Sequence, residues 1–426
     1  KASVLTALIL GTSLGARAQD ARIGELERKL DVLSQELEKL KLGSAAEPEA
    51  EAPAGQAPAA TKVYRAKERR VSIGGYGEMT IQDFSKRNQK GGIGGKADEA
   101  DLLRAVLYFG YKYNDWILFN SELEFEHAST GKGRGEVSVE QAYMDFKLND
   151  SGGLRGGLLL VPMGFMNEIH EPTTFHGVIR PSVERNILPS TWREGGGGFF
   201  IDTGEVAFRS YAIAGLQAIK DATPGLTGVR GSDILRNARS SGAKTLAEDP
   251  AWVSRLDLAP VPGFSAGGSF YIGEADQGKV VHSVPVTIWE LHSKAEYKGL
   301  ELRGLYAAGR IGNADTVNSA NGLTNAAKTS APRRFFGGYA EGAFNVLGLF
   351  ETSHYFAPFF RYERYDTKAE TPESFAKDPA NSRVEYTFGG TYKPIPQIAV
   401  KWDYQWMLNQ ARTGVNQMNL GLGYIF

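Results

Sequence analysis

The sequence IAVKWDYQWML, from Ile398 to Leu408, alternates apolar and polar side chains with a period of two. The apolar face is largely aromatic, whereas Lys401, Asp403 and Gln405 lie on the opposite face. A period of two is that of a β-strand whose two faces meet different surroundings. Aromatic residues near strand ends are typical of barrels that cross a membrane. The stretch therefore predicts a membrane-spanning strand with lipid on one face and a polar interior on the other.

Similar alternation continues through residues 71–426, where about sixteen stretches have strand character. Short connections such as Lys298-Gly299 alternate with long ones such as 163–196 and 219–249. Short turns on one rim and long loops on the other are typical of outer-membrane barrels. We predict an all-β fold, a transmembrane antiparallel β-barrel of about 16 strands, preceded by an N-terminal α-helical coiled coil.

The residues before the barrel divide into three segments. Residues 1–18 predict a signal peptide, with a positive Lys1, a short apolar core and the cleavage-like Ala16-Arg17-Ala18. Residues 19–42 predict a periplasmic coiled coil, because apolar residues recur at heptad spacing. Residues 43–70 are rich in Pro, Ala and Glu and predict an extended linker. The mature chain is therefore expected outside the cytoplasm.

Composition excludes several classes of protein. The formal net charge is −1, which argues against a nucleic-acid partner, and the absence of cysteine excludes disulfides and thiolate metal sites. Past residue 20 there is no run of 18 apolar residues that would predict a transmembrane helix.

The run GGLLLVPMGF at residues 156–165, followed by the pairs Glu184-Arg185 and Arg193-Glu194, resembles the third loop of the phosphate-selective porin family. That resemblance implies outer-membrane homotrimers of sixteen-stranded barrels in which the third external loop, here 163–196, folds inward. The final alternating strand ends on Phe426, which resembles the recognition signal for the barrel-assembly machinery. The expected location is the bacterial outer membrane, with outer-membrane lipid around the barrel.

Inward-facing positions on the predicted strands carry both signs of charge. The two sets are equal in number, so the sequence predicts no net field and leaves phosphate selectivity unsupported. The cations are Arg104, Lys112, Lys147, Arg209, Arg255, Lys294, Arg303, Arg361 and Lys401, and the acids are Glu122, Glu124, Glu126, Asp145, Asp257, Glu290, Glu296, Glu363 and Asp403.

Loop 163–196 supplies the candidate pore constriction. Opposed arginines and glutamates across a narrow channel would orient polar solutes, whereas the same groups paired within the loop would only hold it folded. The candidates are Arg180, Arg185, Arg193, Glu168, Glu171, Glu184 and Glu194.

Other chemistry has weaker support. His170, Glu171 and His176 lack the helical spacing of a metal site, so we expect two solvent-facing histidines, no metal and no cofactor. The predicted function is a porin that passes small hydrophilic solutes or ions by diffusion. The alternatives are a structural tether that acts through the coiled coil, and a barrel hydrolase that uses Ser190 with one of these histidines.

Overall fold

The computed structural model describes residues 55–65, 70–131, 134–221, 226–231, 233–324 and 329–426. The predicted signal peptide 1–18, the predicted coiled coil 19–42 and the first part of the predicted linker lie outside these residues. They remain predictions.

The described chain forms a closed barrel of sixteen antiparallel strands, each paired with its neighbours in sequence. The barrel closes between the first and last strands, where Tyr76 pairs with Ile425 and Phe84 with Gln417. The strands are β1 Val71–Phe84, β2 Glu99–Lys112, β3 Ile117–Glu126, β4 Val137–Asn149, β5 Gly152–Leu160, β6 Arg193–Asp202, β7 Val206–Ala214, β8 Pro250–Val261, β9 Phe264–Glu274, β10 Pro285–Tyr297, β11 Leu300–Ile311, β12 Arg334–Phe344, β13 Tyr355–Glu370, β14 Ser382–Ile395, β15 Ile398–Asn409 and β16 Gln417–Ile425.

Helices are short and lie in the connections or before the first strand. Among the described residues, no helix is long and apolar enough to cross a membrane. The α-helices are α1 Lys62–Arg65, α2 Ser182–Asn186 and α3 Ala314–Ala320, and single 3-10 turns occupy Arg236–Ala238, Val346–Leu349 and Pro379–Asn381.

The two faces of the strands are sorted as the alternation predicts. On β15, Trp402 and Trp406 are exposed on the outside, whereas Lys401 and Asp403 are buried inside. The same pattern surrounds the barrel, so apolar side chains face outward and charged ones inward. This distribution is the inverse of a water-soluble protein, in which charged residues are rarely buried.

The connections differ in length between the two rims. One rim carries mostly tight turns, such as 203–205, 262–263 and 298–299, while the opposite rim carries the long segments 161–192 and 215–249. The longest connections thus lie at a single rim, as the sequence predicts.

The inner loop, defined here as residues 161–192, is shorter than the predicted 163–196. Strand β6 begins at Arg193, because Gly195–Gly198 pair with Leu158–Arg155 of β5. Glycine has low strand propensity, so this run does not read as a strand, but the absence of side chains lets the two backbones pair closely. Arg193 and Glu194 therefore belong to the wall and not to the loop.

The main apolar cluster lies inside the barrel rather than outside it. Val183, Ile187 and Trp192 of the inner loop pack against inward aromatic residues such as Tyr271 and Phe335. Segments 215–249 and 312–333 add further buried residues to this cluster. The cluster therefore fixes the inner loop against one side of the wall.

Residues 55–65 differ from the predicted extended linker. Here called the strap, they run inside the barrel, where Ala59, Thr61 and Val63 are buried. Small residues, which suggest an unfolded linker when read alone, also allow a chain to lie flat against a wall. The prediction of an extended linker is therefore wrong for this segment.

Candidate functional site

The inner loop is closed at its base by one buried side chain. The Asn167 side-chain amide donates to the carbonyl oxygen of Trp192 at 2.8 Å and also to that of Val161. Its carbonyl oxygen accepts from the Trp192 backbone N–H. One side chain thus bridges the residues where the loop leaves β5 and joins β6, a role that the sequence analysis missed.

Cations of the wall hold the inner loop through its carbonyl oxygens. Lys401 Nζ donates to the carbonyl of Phe175 at 2.7 Å and to that of Gly177 at 2.9 Å. Arg361 donates to the carbonyls of His176 and Ile179 at 3.3 and 3.2 Å. Arg303 and Arg255 donate in the same way to Thr174 and Gly164.

Acids of the wall hold the same loop through its N–H groups. Asp403 accepts from the Val178 N–H, and Glu363 accepts from the Val183 N–H at 3.0 Å. Backbone polar groups removed from water need such partners, because an unpaired one costs about 1–3 kcal/mol. Inward cations and inward acids thus both have a structural role here, since a peptide backbone offers both acceptors and donors.

Glycines on inward positions give the loop room to approach the wall. A Cβ added at Gly423 would lie 2.4 Å from Pro172, and one at Gly421 would lie 2.9 Å from Val178. At Gly337 the added atom would lie 2.9 Å from Ile187. Glycine at inward strand positions marks close backbone approach, and these glycines are visible in the sequence.

The predicted constriction acids are buried and have partners. Glu171 accepts from the Ala59 N–H at 3.0 Å, and Glu168 lies 3.4 Å from the Arg209 guanidinium. Glu184 accepts from the Met166 N–H and the Tyr339 hydroxyl, each at 2.7 Å. Burial raises the pKa of Glu184, although these two hydrogen bonds oppose the shift.

The predicted constriction arginines have three different surroundings. Arg180 is buried and donates to the His170 carbonyl at 3.1 Å. Arg193 lies on β6 and forms an ion pair with Glu140. Arg185 is exposed and has no hydrogen-bond or ion-pair partner for its side chain among the described residues.

The Arg185 side chain is accessible to solvent but lies on the loop that folds into the barrel. Protein surrounds its side chain closely enough that desolvation, together with Arg236, lowers its pKa. The charges of Tyr365 on β13 and Glu385 on β14 oppose this lowering of the Arg185 pKa. The Glu385 carboxylate is itself buried and accepts from the Tyr365 hydroxyl at 2.6 Å.

Segment 215–249 contributes two arginines that the sequence analysis missed. Arg236 donates to the Ser190 carbonyl at 2.9 Å, and Arg239 donates to the Pro189 carbonyl at 2.7 Å. Arg236 is otherwise exposed, and Glu126 and Asp233 partly offset its charge. The spacing of these arginines, three residues apart inside a predicted long loop, was visible in the sequence.

The remaining predicted pore-lining residues form ion pairs or hydrogen bonds with other side chains inside the barrel. Glu122 lies 3.3 Å from His170, and Glu124 forms an ion pair with Arg104 at 3.1 Å. On β10, Glu290 pairs with His292 and Lys294 pairs with Glu296.

The histidine prediction was wrong. His170 is 1% exposed and His176 is 6% exposed, because the loop that carries them folds into the barrel. Their rings contact Glu122 and Glu301 rather than Ser190. Within the described ranges, no three His, Asp or Glu residues are arranged to hold a metal ion.

Comparison with known sequences identifies a relative. No protein-family model matches the chain. An uncharacterized protein of Aquifex aeolicus (strain VF5) is 36% identical over 366 residues, which cover 84% of this chain and 80% of that protein. The chain belongs to the family of this Aquifex protein.

Solved structures share the fold at low sequence identity. OmpF of Salmonella typhi, in complex with daunomycin, has a TM-score of 0.54 at 13% identity, with coverage of 84% of this chain and 97% of that one. The anion-selective porin from Comamonas acidovorans has a TM-score of 0.52 at 12% identity, with coverage of 84% and 99%. A loop-deletion mutant of Vibrio cholerae OmpT gives 0.51 at 10% identity, with coverage of 84% and 99%. The fold is thus a closed sixteen-stranded barrel resembling outer-membrane porins.

Proposed function

We propose that this chain is an outer-membrane porin that passes small hydrophilic solutes by diffusion past its inner loop. The observation that carries the proposal is a closed barrel with an apolar exterior, whose charged interior clamps a long loop that carries the solvent-exposed Arg185. Membrane-spanning barrels need an apolar outer band and satisfy all backbone groups by closure. Diffusion requires no catalytic group, and the proposal includes none.

The apolar outer surface of the barrel is suited to the lipid of the outer membrane. Large apolar residues such as Trp252, Trp289 and Leu420 are exposed around the barrel, and a water-soluble monomer rarely exposes so continuous an apolar surface. The long-loop rim would face the outside and the tight-turn rim the periplasm. A homotrimer assembled through the barrel and the predicted coiled coil 19–42 is part of the same proposal.

The charges that meet water at the constriction support a preference for anions. The acids Glu168, Glu171 and Glu184 are engaged in buried contacts, whereas Arg185 and Arg236 are exposed. A transverse field between the opposed arginines and glutamates of the loop therefore has less support than a lining formed by the exposed Arg185 and Arg236, of which Arg236 is partly offset by Asp233. Exposed cations lower the barrier for an anion in a narrow pore. The proposal covers small anions as a class, and a specific preference for phosphate is not part of it.

A planar-bilayer recording tests both parts. The full chain should insert as discrete conductance steps, and a KCl gradient should give a reversal potential of the sign expected for chloride preference. Arg185→Glu should move that potential towards cation preference, because it reverses the charge beside the path. Arg310→Glu is the matched control. The buried residues Leu305, Ala307 and Ile311 of β11 face the inside of the barrel, so the exposed Arg310, which alternates with them, faces the outside.

The outcomes separate the two parts of the proposal. Absence of conductance would overturn the porin function. Conductance with no effect of Arg185→Glu would retain the porin and overturn the role of Arg185 in ion preference.

A further inference from the structure

The strap, residues 55–65, follows the inner wall of the barrel over several strands. The Ala60 carbonyl accepts from the Asn120 amide of β3 at 3.0 Å. Tyr64 donates to Asp145 of β4 at 2.6 Å. Gln56 contacts the hydroxyl of Tyr143, also on β4, at 2.9 Å.

The middle and both ends of the strap extend this contact to further strands. A Cβ added at Gly74 of β1 would lie 2.7 Å from the Ala59 carbonyl oxygen, and one at Gly110 of β2 would lie 2.5 Å from Val63. At its other end, Gly55 is so close to Arg209 of β7 that an added Cβ would lie 2.5 Å from the guanidinium. The strap therefore covers the inner wall from β1 to β7, and two wall glycines provide the space that it occupies.

The strap is also joined to the inner loop. The Ala59 N–H donates to Glu171 of the loop at 3.0 Å, and Ile169 of the loop packs beside the buried Ala57, Ala59 and Ala60. The strap and this part of the loop thus form one layer against this side of the wall. Arg185 lies farther along the loop, on α2, where Val183 donates to Glu363 of β13 and Ile187 lies against Gly337 of β12.

From these contacts we infer that the strap is a second, fixed part of the constriction, and that it determines both pore size and ion preference. It fills the β1–β7 side of the lumen and so directs solutes past Arg185 on the opposite side. The wall behind the strap carries ion pairs such as Arg155 with Asp145 and Arg104 with Glu124, so a path opened on that side would have no net positive lining. This inference rests on the proposed porin function.

Two deletions in the full chain test the inference in bilayers. Removal of residues 19–53 keeps the strap and should leave single-channel conductance unchanged. Removal of residues 19–61 takes away most of the strap and should raise conductance about twofold, because a wider lumen offers less resistance. The same deletion should also move the reversal potential towards zero. Equal conductance and equal reversal potential in the two variants would overturn the inference while leaving the porin function intact.

A labelling experiment keeps the inference testable if the longer deletion fails to fold. The chain has no cysteine, so single cysteines can be placed on the strap. Ala57→Cys should react with a charged thiol reagent at least about tenfold more slowly than Lys62→Cys, since Ala57 is 3% exposed whereas Lys62 is exposed. Adding Glu171→Ala to Ala57→Cys should increase its labelling rate several-fold, because the strap loses its hydrogen bond to the loop. Similar rates at both positions would show that the strap does not lie packed in the lumen, whether or not the protein conducts.

Discussion

Lys401 and Phe175 are joined in two ways across the lumen. The Lys401 ammonium lies 3.7 Å from the centroid of the Phe175 ring and donates to the carbonyl oxygen of the same residue at 2.7 Å. A strand of the wall and the middle of the inner loop thus share a cation–π contact and a hydrogen bond. A charge that would be expected to line open water instead holds a peptide backbone.

Lys401→Met should loosen the inner loop without opening the barrel. The substitution keeps the length of the side chain but leaves the carbonyls of Phe175 and Gly177 without their donor, at a cost of about 1–3 kcal/mol. We expect a lower thermal unfolding midpoint and noisier open-channel current. Lys90→Met is the control, because Lys90 is exposed in the β1–β2 connection. Equal midpoints for both variants would contradict the role of Lys401.

Gly423→Ala should destabilise the protein by overpacking. The added methyl would lie 2.4 Å from Pro172 of the inner loop, and such crowding in a packed interior costs about 1–3 kcal/mol. Chemical denaturation of the folded barrel measures the change. Gly195→Ala provides the matched control, since no atom lies within 4 Å of the added carbon. If both variants unfold at the same denaturant concentration, Gly423 is not a contact point for the loop.

Because of Glu184, the free energy of unfolding should fall as pH rises. Burial raises its pKa in the folded protein, so the folded state binds the proton more tightly than the unfolded state does. This contribution is fully present below the unfolded pKa of about 4.3 and is lost as pH rises through the higher folded value. Tyr339, Arg303 and Glu290 are the other groups that influence this carboxyl. Glu184→Gln should therefore flatten the dependence of the unfolding midpoint on pH above 4.3, and an unchanged slope would be evidence against this assignment.

The sequence predicts the barrel well because lipid imposes a strict pattern on its strands. The alternation on β15 correctly separates Trp402 and Trp406 from Lys401 and Asp403. Alternation gives the direction of a side chain but not what it meets there. Whether Lys401 faces water or the Phe175 carbonyl depends on where a distant segment folds, and a period of two contains no information about that.

The errors at the candidate site have the same origin. The strap looks like a linker because its three alanines and one proline have little apolar surface, yet the segment fits the space beside Gly74 and Gly110. His170 and His176 look exposed because they lie in a loop, and become buried when that loop enters the barrel. In each case a long-range contact overrides the local composition.

The proposal that ions pass Arg185 inside the barrel is tested most directly by blocking the current with a reagent attached at this position. In the cysteine-free chain, Arg185→Cys places a single thiol beside the proposed path, and a charged methanethiosulfonate reagent can be added during a bilayer recording. We predict a stepwise fall in conductance, faster for an anionic reagent than for a cationic one because the exposed Arg236 keeps its positive charge. Arg310→Cys, on the outer face, should give no change. Unaltered current through Arg185→Cys after confirmed labelling would show that ions do not pass this residue, and would contradict the account.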